Sequence, residues 1–374
     1  MNATTKAALI FNAVKIPYEF FTKLCDLYSP DELFTHESIL QELGLSEQQQ
    51  YRISSLMIKD SWPEQELERI ETFKARFIHA RDLDYPAKLK DLTHPPIGLY
   101  VKGNANIMMP SVAVVGTRKP GDYGRVTANH LGRELAKRGV MTISGGARGI
   151  DAEGHRGTLA ENGSTIAVFG TSIDKIYPAE HRDLFSRILY RGAIISEYPM
   201  NTNGEAWRFP ERNRIIAAMS SAVVVVESPE NGGALNTAEH GFKLNREVYA
   251  VPGLITNESC KGSNRLISRG AKILLSIDEF ADKFAFKPEQ LNLEFDDSLN
   301  DSMSGHEEDK ANDAIELEDD EKIIYSLIQT HNEITADKLA DESKLDILTV
   351  QSALLSLMSE GLISDNTGRY SISV

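Results

Sequence analysis

Between residues 111 and 275, short apolar runs alternate with stretches of helical periodicity. The candidate strands are Val112–Val115, Val140–Ser144, Thr165–Phe169, Ala193–Ser196, Ala222–Val226 and Val248–Val251, several of them nearly continuous in Val, Ile and Ala. Continuous rather than alternating apolar character marks strands covered on both faces. Between and after them, 123–138, 151–162, 180–191, 211–220, 234–245 and 262–270 repeat apolar residues at helical spacing. Strand–helix alternation predicts an α/β domain over 111–284, built on a doubly wound parallel sheet.

The flanks have other patterns. Residues 1–75 read as a small helical domain. Ala8, Ile10, Phe11, Val14 and Phe20, Phe21, Leu24, Leu27 fall at helical spacing, with breaks at Pro17, Pro30, Gly44 and Pro63. Residues 76–110 hold Asp84-Tyr85-Pro86 and Pro95-Pro96 and read as an extended connector that packs onto the α/β domain. Residues 285–321 combine many acids with few aromatics, a composition that predicts a disordered linker. Periodicity returns at 322–374. Ile323, Ile324, Leu327 and Ile328 form one helix face, and Thr335–Ala340 and Leu348–Glu360 suggest two more helices. Leu362–Ser364 and Tyr370–Val374 can pair across Asn366-Thr367-Gly368. Three helices and a hairpin make a winged-helix pattern.

Charge changes the picture only once it is located. The 374-residue chain has a net charge of −15, which taken whole disfavours nucleic acid. Residues 289–321 alone carry −13, whereas 111–284 carry +3. The α/β domain is therefore mildly basic. No apolar stretch approaches the roughly 18 residues of a membrane span, and the N-terminal segment lacks a secretory signal pattern. Two cysteines cannot build a disulfide framework or a zinc cluster, so a reducing cytoplasm is expected.

In an open parallel sheet, ligands bind beyond the carboxyl ends of the strands. The loops there read Gly116-Thr117-Arg118-Lys119-Pro120-Gly121, Gly145-Gly146-Ala147-Arg148-Gly149-Ile150-Asp151, Gly170-Thr171-Ser172, and Asn231-Gly232-Gly233-Ala234. Arg208-Phe209-Pro210-Glu211-Arg212-Asn213-Arg214 precedes one helix, and Lys261-Gly262-Ser263-Asn264-Arg265 opens another. Glycine admits close backbone approach, helix N-termini offer free N–H groups, and arginine binds phosphate through two donors. Several such loops converging on one sheet edge predict a site for a phosphate-bearing ligand.

The ligand class narrows by exclusion. No G-x-G-x-x-G follows the first strand, and no acid closes the second to hold a ribose, which disfavours NAD; no Walker A motif is present. The nine histidines offer no H-x-x-x-H pair. Neither a metal nor another cofactor is expected. Tyr123, Tyr198, Trp207 and Phe209 accompany the basic loops. Basic loops with stacking aromatics suit single-stranded nucleic acid. Phe209, flanked by Arg208 and Arg212, is the best candidate for an exposed stacker. Asp151 and His155 are the best acid–base pair available, but capping is the expected work of Asp151.

These residues resemble those of the bacterial DNA-processing DprA (Smf) family. The resemblance rests on Val112-Ala-Val-Val-Gly-Thr-Arg-Lys-Pro120 with Tyr123-Gly124, and on Ser144-Gly-Gly-Ala-Arg-Gly-Ile-Asp151 with His155-Arg156. Thr165–Gly170 with Tyr177-Pro178, Phe209-Pro-Glu-Arg-Asn-Arg-Ile-Ile-Ala217, Val248–Gly253 and the upstream Leu99-Tyr-Val-Lys-Gly-Asn104 extend it over roughly 84–275. The resemblance implies an extended Rossmann-like core between a small helical domain, SAM-like in kind, and a winged helix. It implies a dimer that binds single-stranded DNA and loads the recombinase RecA during natural transformation, without catalysis. From the residues and the resemblance together, the candidate DNA-binding set is Gly116, Thr117, Arg118, Lys119, Gly145, Arg148, Lys175, Arg208, Phe209, Arg212, Asn213, Arg214, Gly232, Gly233, Lys261, Asn264 and Arg265. Where many members read Arg-Ser-Gly-Ser-Leu, this chain has Asn231-Gly232-Gly233-Ala234-Leu235.

One competing class remains. Gly232-Gly233-Ala-Leu-Asn-Thr237-Ala-Glu239 is similar to the motif of lysine-decarboxylase-like phosphoribohydrolases, whose glutamate is catalytic. That reading requires Glu239 to face a bound sugar. For the C-terminal module, the third helix offers Gln351 and Ser352 but no basic residue for a major groove. A protein partner, or the chain's own core, is expected there rather than duplex DNA.

Overall fold

The computed structural model describes residues 2–285, apart from 37 and 59–61, together with 319–331, 334–345, 349–350, 353–354, 356–357, 362–365 and 370–372. The expected linker, 285–321, therefore lies almost wholly outside the described residues, as do Gln351 and Ser352. The chain divides into two compact units, Met1–Phe295 and Asp296–Val374.

The first unit opens with five helices: α1 (Ala3–Ala13), α2 (Tyr18–Leu27), α3 (Ser38–Glu42), α4 (Glu47–Ile58) and α5 (Trp62–Thr72). Strands β1 (Arg76–His79) and β2 (Gly98–Gly103) come next. Then come β3 (Ser111–Val115), α6 (Asp122–Lys137), β4 (Met141–Ser144), α7 (Ile150–Ala160), β5 (Thr165–Val168), α8 (Arg182–Arg191) and β6 (Ala193–Ser196). The unit closes with α9 (Arg208–Met219), β7 (Ala222–Val225), α10 (Ala234–Lys243), β8 (Glu247–Ala250), α11 (Lys261–Ser268), β9 (Lys272–Ile273) and α12 (Ile277–Lys283).

The nine strands form one sheet in the order β1-β2-β6-β5-β4-β3-β7-β8-β9. From β6 to β9 every pairing is parallel, the doubly wound core that the apolar runs imply. The stretch read as an extended connector does more than connect. β1 pairs antiparallel with β2, and β2 antiparallel with β6, in register Tyr100↔Ser196 and Val101↔Ile195. The sheet is thus mixed. Leu99, Tyr100 and Val101 are all buried, so β2 has apolar cover on both faces like the central strands.

Alternate residues of the central strands feed opposite layers. Val112 and Val114 pack with Ala128, Leu131 and Leu135 of α6. Ala113 and Val115 join the layer that holds Ile215–Met219 of α9 and, in the same cluster, Ala7, Phe11 and Phe21 of the N-terminal helices. Residues 1–75 thus bury their apolar face against the sheet. Tyr100, Phe185, Ile188 and Ile194 form a third cluster with Leu9 and Ile70. Strand order reverses between β3 and β7, and in open parallel sheets such a switch point opens a crevice.

The second unit contains α13 (Asp319–His331), α14 (Ala336–Ser343) and the antiparallel pair β10 (Ile363–Asp365) and β11 (Tyr370–Ile372), with Ile363 opposite Ile372. Ile324, Ile328, Leu339, Val350, Leu354, Leu357 and Ile363 make its core.

Candidate functional site

A cleft of about 720 Å³ opens at the β3/β7 switch point. Gly116, Thr117, Arg118 and Lys119 line it from the loop after β3, Phe209, Arg212 and Asn213 from α9, and Gly232 and Gly233 from the loop after β7. Nine of the seventeen candidate residues therefore meet there.

The loops are locked together. The Thr117 amide donates to the Glu227 carbonyl at 2.7 Å, and the Ile150 amide to the Thr117 carbonyl at 3.2 Å. A side chain at Gly116 would meet Ile150 at 2.5 Å and the Glu227 carbonyl at 2.8 Å, so only glycine fits between these loops. Gly149 has φ +77°, and a Cβ there would collide with the Thr117 carbonyl.

Among the helices that begin at this edge, α6, α7 and α10 have differently furnished N-termini. The buried Glu227 carboxylate accepts from the Gly121 amide, the N-cap of α6, at 3.2 and 3.3 Å. Asp151, buried in the first turn of α7, turns back onto its own loop and accepts from the amides of Gly145 at 3.1 Å and Ala147 at 3.4 Å. Glu227 thus sits at the start of α6, whereas Asp151 holds the loop before α7 and, among the described residues, accepts from no amide of that helix's first turn. The start of α10 is open. Among the described residues the amides of Gly233 and Ala234 make no hydrogen bond, and neither does the Thr237 hydroxyl, although Thr237 is 99% buried and lines the cleft. A helix N-terminus with free amides attracts an anion.

Arg118 and Lys119 are exposed and have no carboxylate partner among the described residues. The Arg118 guanidinium lies 5.7 Å from the Phe209 ring centroid, and Phe209 meets Tyr177 at 5.3 Å, tilted. Phe209 is half-buried rather than exposed, and it fits against Gly170 and Gly204. A flat ligand has one aromatic wall here, with cations beside it.

Arg212 differs from the expectation of a strand-gripping arginine. It is buried, donates to the carbonyls of Gly145 and Val168 and to Asn213 Oδ1, and faces Asp151. Burial pushes its pKa down to about 10, with Asp151 opposing. Burial likewise raises the Asp151 pKa against the pull of Arg212. Arg212 holds two loops together, and its charge is largely offset.

The other eight candidates lie outside the cleft. Gly145 is buried beneath Arg212, and Asn264 bridges the Gly253 amide and carbonyl at 3.1 and 3.0 Å. Arg148 pairs with Glu180, Lys175 lies 3.9 Å from Asp174, Lys261 pairs with Glu258 and Arg265 with Glu230. Arg208 and Arg214 line a second cleft of about 490 Å³ between α9 and the N-terminal helices, paired with Glu205 and Glu197. Tyr198 is buried there with its hydroxyl on Glu211, and Lys15 lies 4.4 Å over Trp207. His155 is buried, with Nδ1 2.7 Å from Thr165 Oγ1, and burial lowers its pKa to about 3. It is a core residue, not the partner of an acid–base pair. Glu239 is exposed in a separate groove with Glu230, Arg265 and Arg269, away from the cleft.

Glu227, Tyr177 and Thr237 complete the site and went unassigned from sequence. Glu227 had a readable signal, since an acid immediately after the buried run Ala222–Val226 has to find donors.

Comparison with known proteins places this chain among proteins of one family. A family model described as DNA recombination-mediator protein A matches residues 76–285. A protein Smf of Synechocystis is 41% identical over 219 residues, which cover 57% of this chain and only 55% of that relative. The solved DNA processing protein A of Streptococcus pneumoniae superposes with TM-score 0.65 at 28% identity, over 76% of this chain and 97% of that one. That of Helicobacter pylori superposes with TM-score 0.52 at 28% identity, over 56% of this chain and 95% of that one.

Proposed function

The chain belongs to the DNA recombination-mediator protein A family, and from that premise we propose that it binds single-stranded DNA in the β3/β7 cleft. The carrying observation is the combination of an open helix N-terminus, two unpaired cations and an aromatic wall at one switch point. Phosphate goes to the α10 amides and Arg118, and a base lies against Phe209. The Helicobacter pylori relative is described for its single-stranded DNA binding mode, which supports this reading. The biological role that fits is DNA processing in natural transformation, with delivery of the strand to a recombinase of the RecA kind in the cytoplasm.

The protein acts without catalysis: Glu239 does not face the cleft, and His155 is neutral and buried, so the phosphoribohydrolase alternative lacks its acid. The core works as a homodimer. Leu254, Ile255, Ile273 and Leu275 are exposed near the β9 edge, and apolar side chains grouped in this way favour a covered surface.

The test replaces Arg118 and Lys119 together by alanine. Each charge-assisted contact is worth about 1.5–3 kcal/mol, so affinity for a homopolymer strand falls by at least about tenfold per residue. The dependence on salt flattens as well. Retained affinity in a folded variant refutes the site. Free base released from nucleoside monophosphates by the pure protein refutes the non-catalytic reading.

A further inference from the structure

We propose that the exposed face of α8 is a second track for the nucleic-acid backbone, continuing the strand's path beyond the cleft. The inference rests on the single-strand reading above and extends it to a surface that the motif loops do not include.

The helix begins at the rim of the cleft. Tyr177 lines the cleft, and the one-turn helix Ala179–His181 leads from there directly into α8. His181 Nδ1 lies 3.1 Å from the Gly146 carbonyl, which ties this start to the loop after β4. From that rim α8 runs about 14 Å away from the strand ends. Its inner face, Leu184, Phe185 and Ile188, is buried. Its outer face presents Arg182, Arg187, Tyr190 and Arg191, all exposed, with Tyr190 at 75%.

What distinguishes these arginines is that their charge is not spent. Most cations of the candidate set are paired within the chain, whereas Arg182, Arg187 and Arg191 have no carboxylate partner among the described residues. Arg191 donates only to the neutral Asn162 Oδ1 at 3.2 Å and lies 5.7 Å from the Tyr190 ring. The nearby acids are few or already engaged. Asp183 is on the helix, Glu180 is taken by Arg148, and Glu161 by Arg133 at 2.6 Å.

The positive strip continues beyond the helix. Gly192 leads into β6, whose Ile194 is opposite Lys102 on β2. Lys102 shares the α8 side of the sheet with Tyr100, since residues two apart face the same way. Its ammonium stands 3.5 Å over the Phe73 ring, and burial, with repulsion from Lys74 as the smaller cause, lowers its pKa. A row of unpaired cations with one exposed aromatic suits a flexible polyanion that can also stack a base.

The experiment uses the full chain carrying R187E/R191E. Binding is measured by anisotropy on a homopolymer of about six nucleotides, which fits the cleft, and on one of about twenty, which runs past it. The variant is expected to bind the short strand like the wild type and the long strand at least tenfold more weakly. Its salt slope on the long strand should fall by about 1.4, from two lost phosphate contacts at about 0.7 each. R187Q/R191Q should show the same length dependence to a smaller degree. Unchanged binding of the long strand overturns the proposal, and so does equal loss on both lengths. The Arg118→Ala variant separates this inference from its premise. Failure of the cleft reading leaves that variant unaffected on the short strand, whereas failure of the track leaves R187E/R191E unaffected on the long one.

Discussion

Arg118 and Arg212 line the same cleft within one family motif set, and their surroundings give them opposite work. Arg212 is enclosed, bonded to two carbonyls and set against Asp151. Removing it leaves a buried carboxylate without its counter-charge, which costs about 3–5 kcal/mol. Arg118 is exposed and unpaired, and its loss changes stability by no more than about 0.5 kcal/mol. Denaturant unfolding of Arg212→Ala and Arg118→Ala is therefore expected to separate them: the first fails mainly as a folded protein, the second mainly as a binder. Arg212→Lys, which keeps charge but not the two-carbonyl geometry, should fall between. Equal stabilities would show that Arg212 is not structural. The sequence could not distinguish the two, because both are arginines in short motifs read as lying at the same sheet edge. What distinguishes them is distance from solvent and the identity of the partner, set by Gly145 and Val168 from other strands.

At the scale of elements, the central strands were legible to within a residue or so, since buried parallel strands are written as unbroken apolar runs. β1 and β2 were hidden by the prolines around them, and β9 by its length of two residues. Ion pairs were not legible at all. Arg148 meets Glu180 and Arg265 meets Glu230 across more than thirty residues of chain, so the sequence shows the charges but not which are already spent. The α7–β5 contact carries a pH dependence of its own. His155 on α7 is neutral against Thr165, its pKa lowered by burial to about 3 from an ordinary 6.5. The unfolded chain takes up this proton first as pH falls. The contribution to stability is full above about 6.5 and is lost below it, at about 1.4 kcal/mol per pH unit. Urea midpoints measured from pH 7 to 4 should fall more steeply for the wild type than for His155→Gln. Parallel profiles would assign acid sensitivity elsewhere.

For the whole molecule, the charge is divided between a basic α/β domain and an acidic segment at 289–321 with net −13. If that segment competes with a nucleic-acid strand for the same cations, the inhibition is weak and screened by salt. A chain ending at residue 285 is expected to keep its single-strand affinity and to bind more tightly than the full chain at low salt, with the difference vanishing as salt rises. Loss of binding on truncation would reverse this assignment, and duplex affinity in the isolated 322–374 fragment would overturn the separate expectation of a protein partner there. At the sheet edge, two carboxylates of the chain are already engaged with backbone amides, Glu227 at the start of α6 and Asp151 on the loop before α7. With two carboxylates at this edge, a free triphosphate is expected to gain little over a monophosphate as a competitor for the cleft, which a competition titration checks. The edge that in a dehydrogenase waits for its coenzyme is here partly furnished by the chain's own carboxylates, which tie its loops from within.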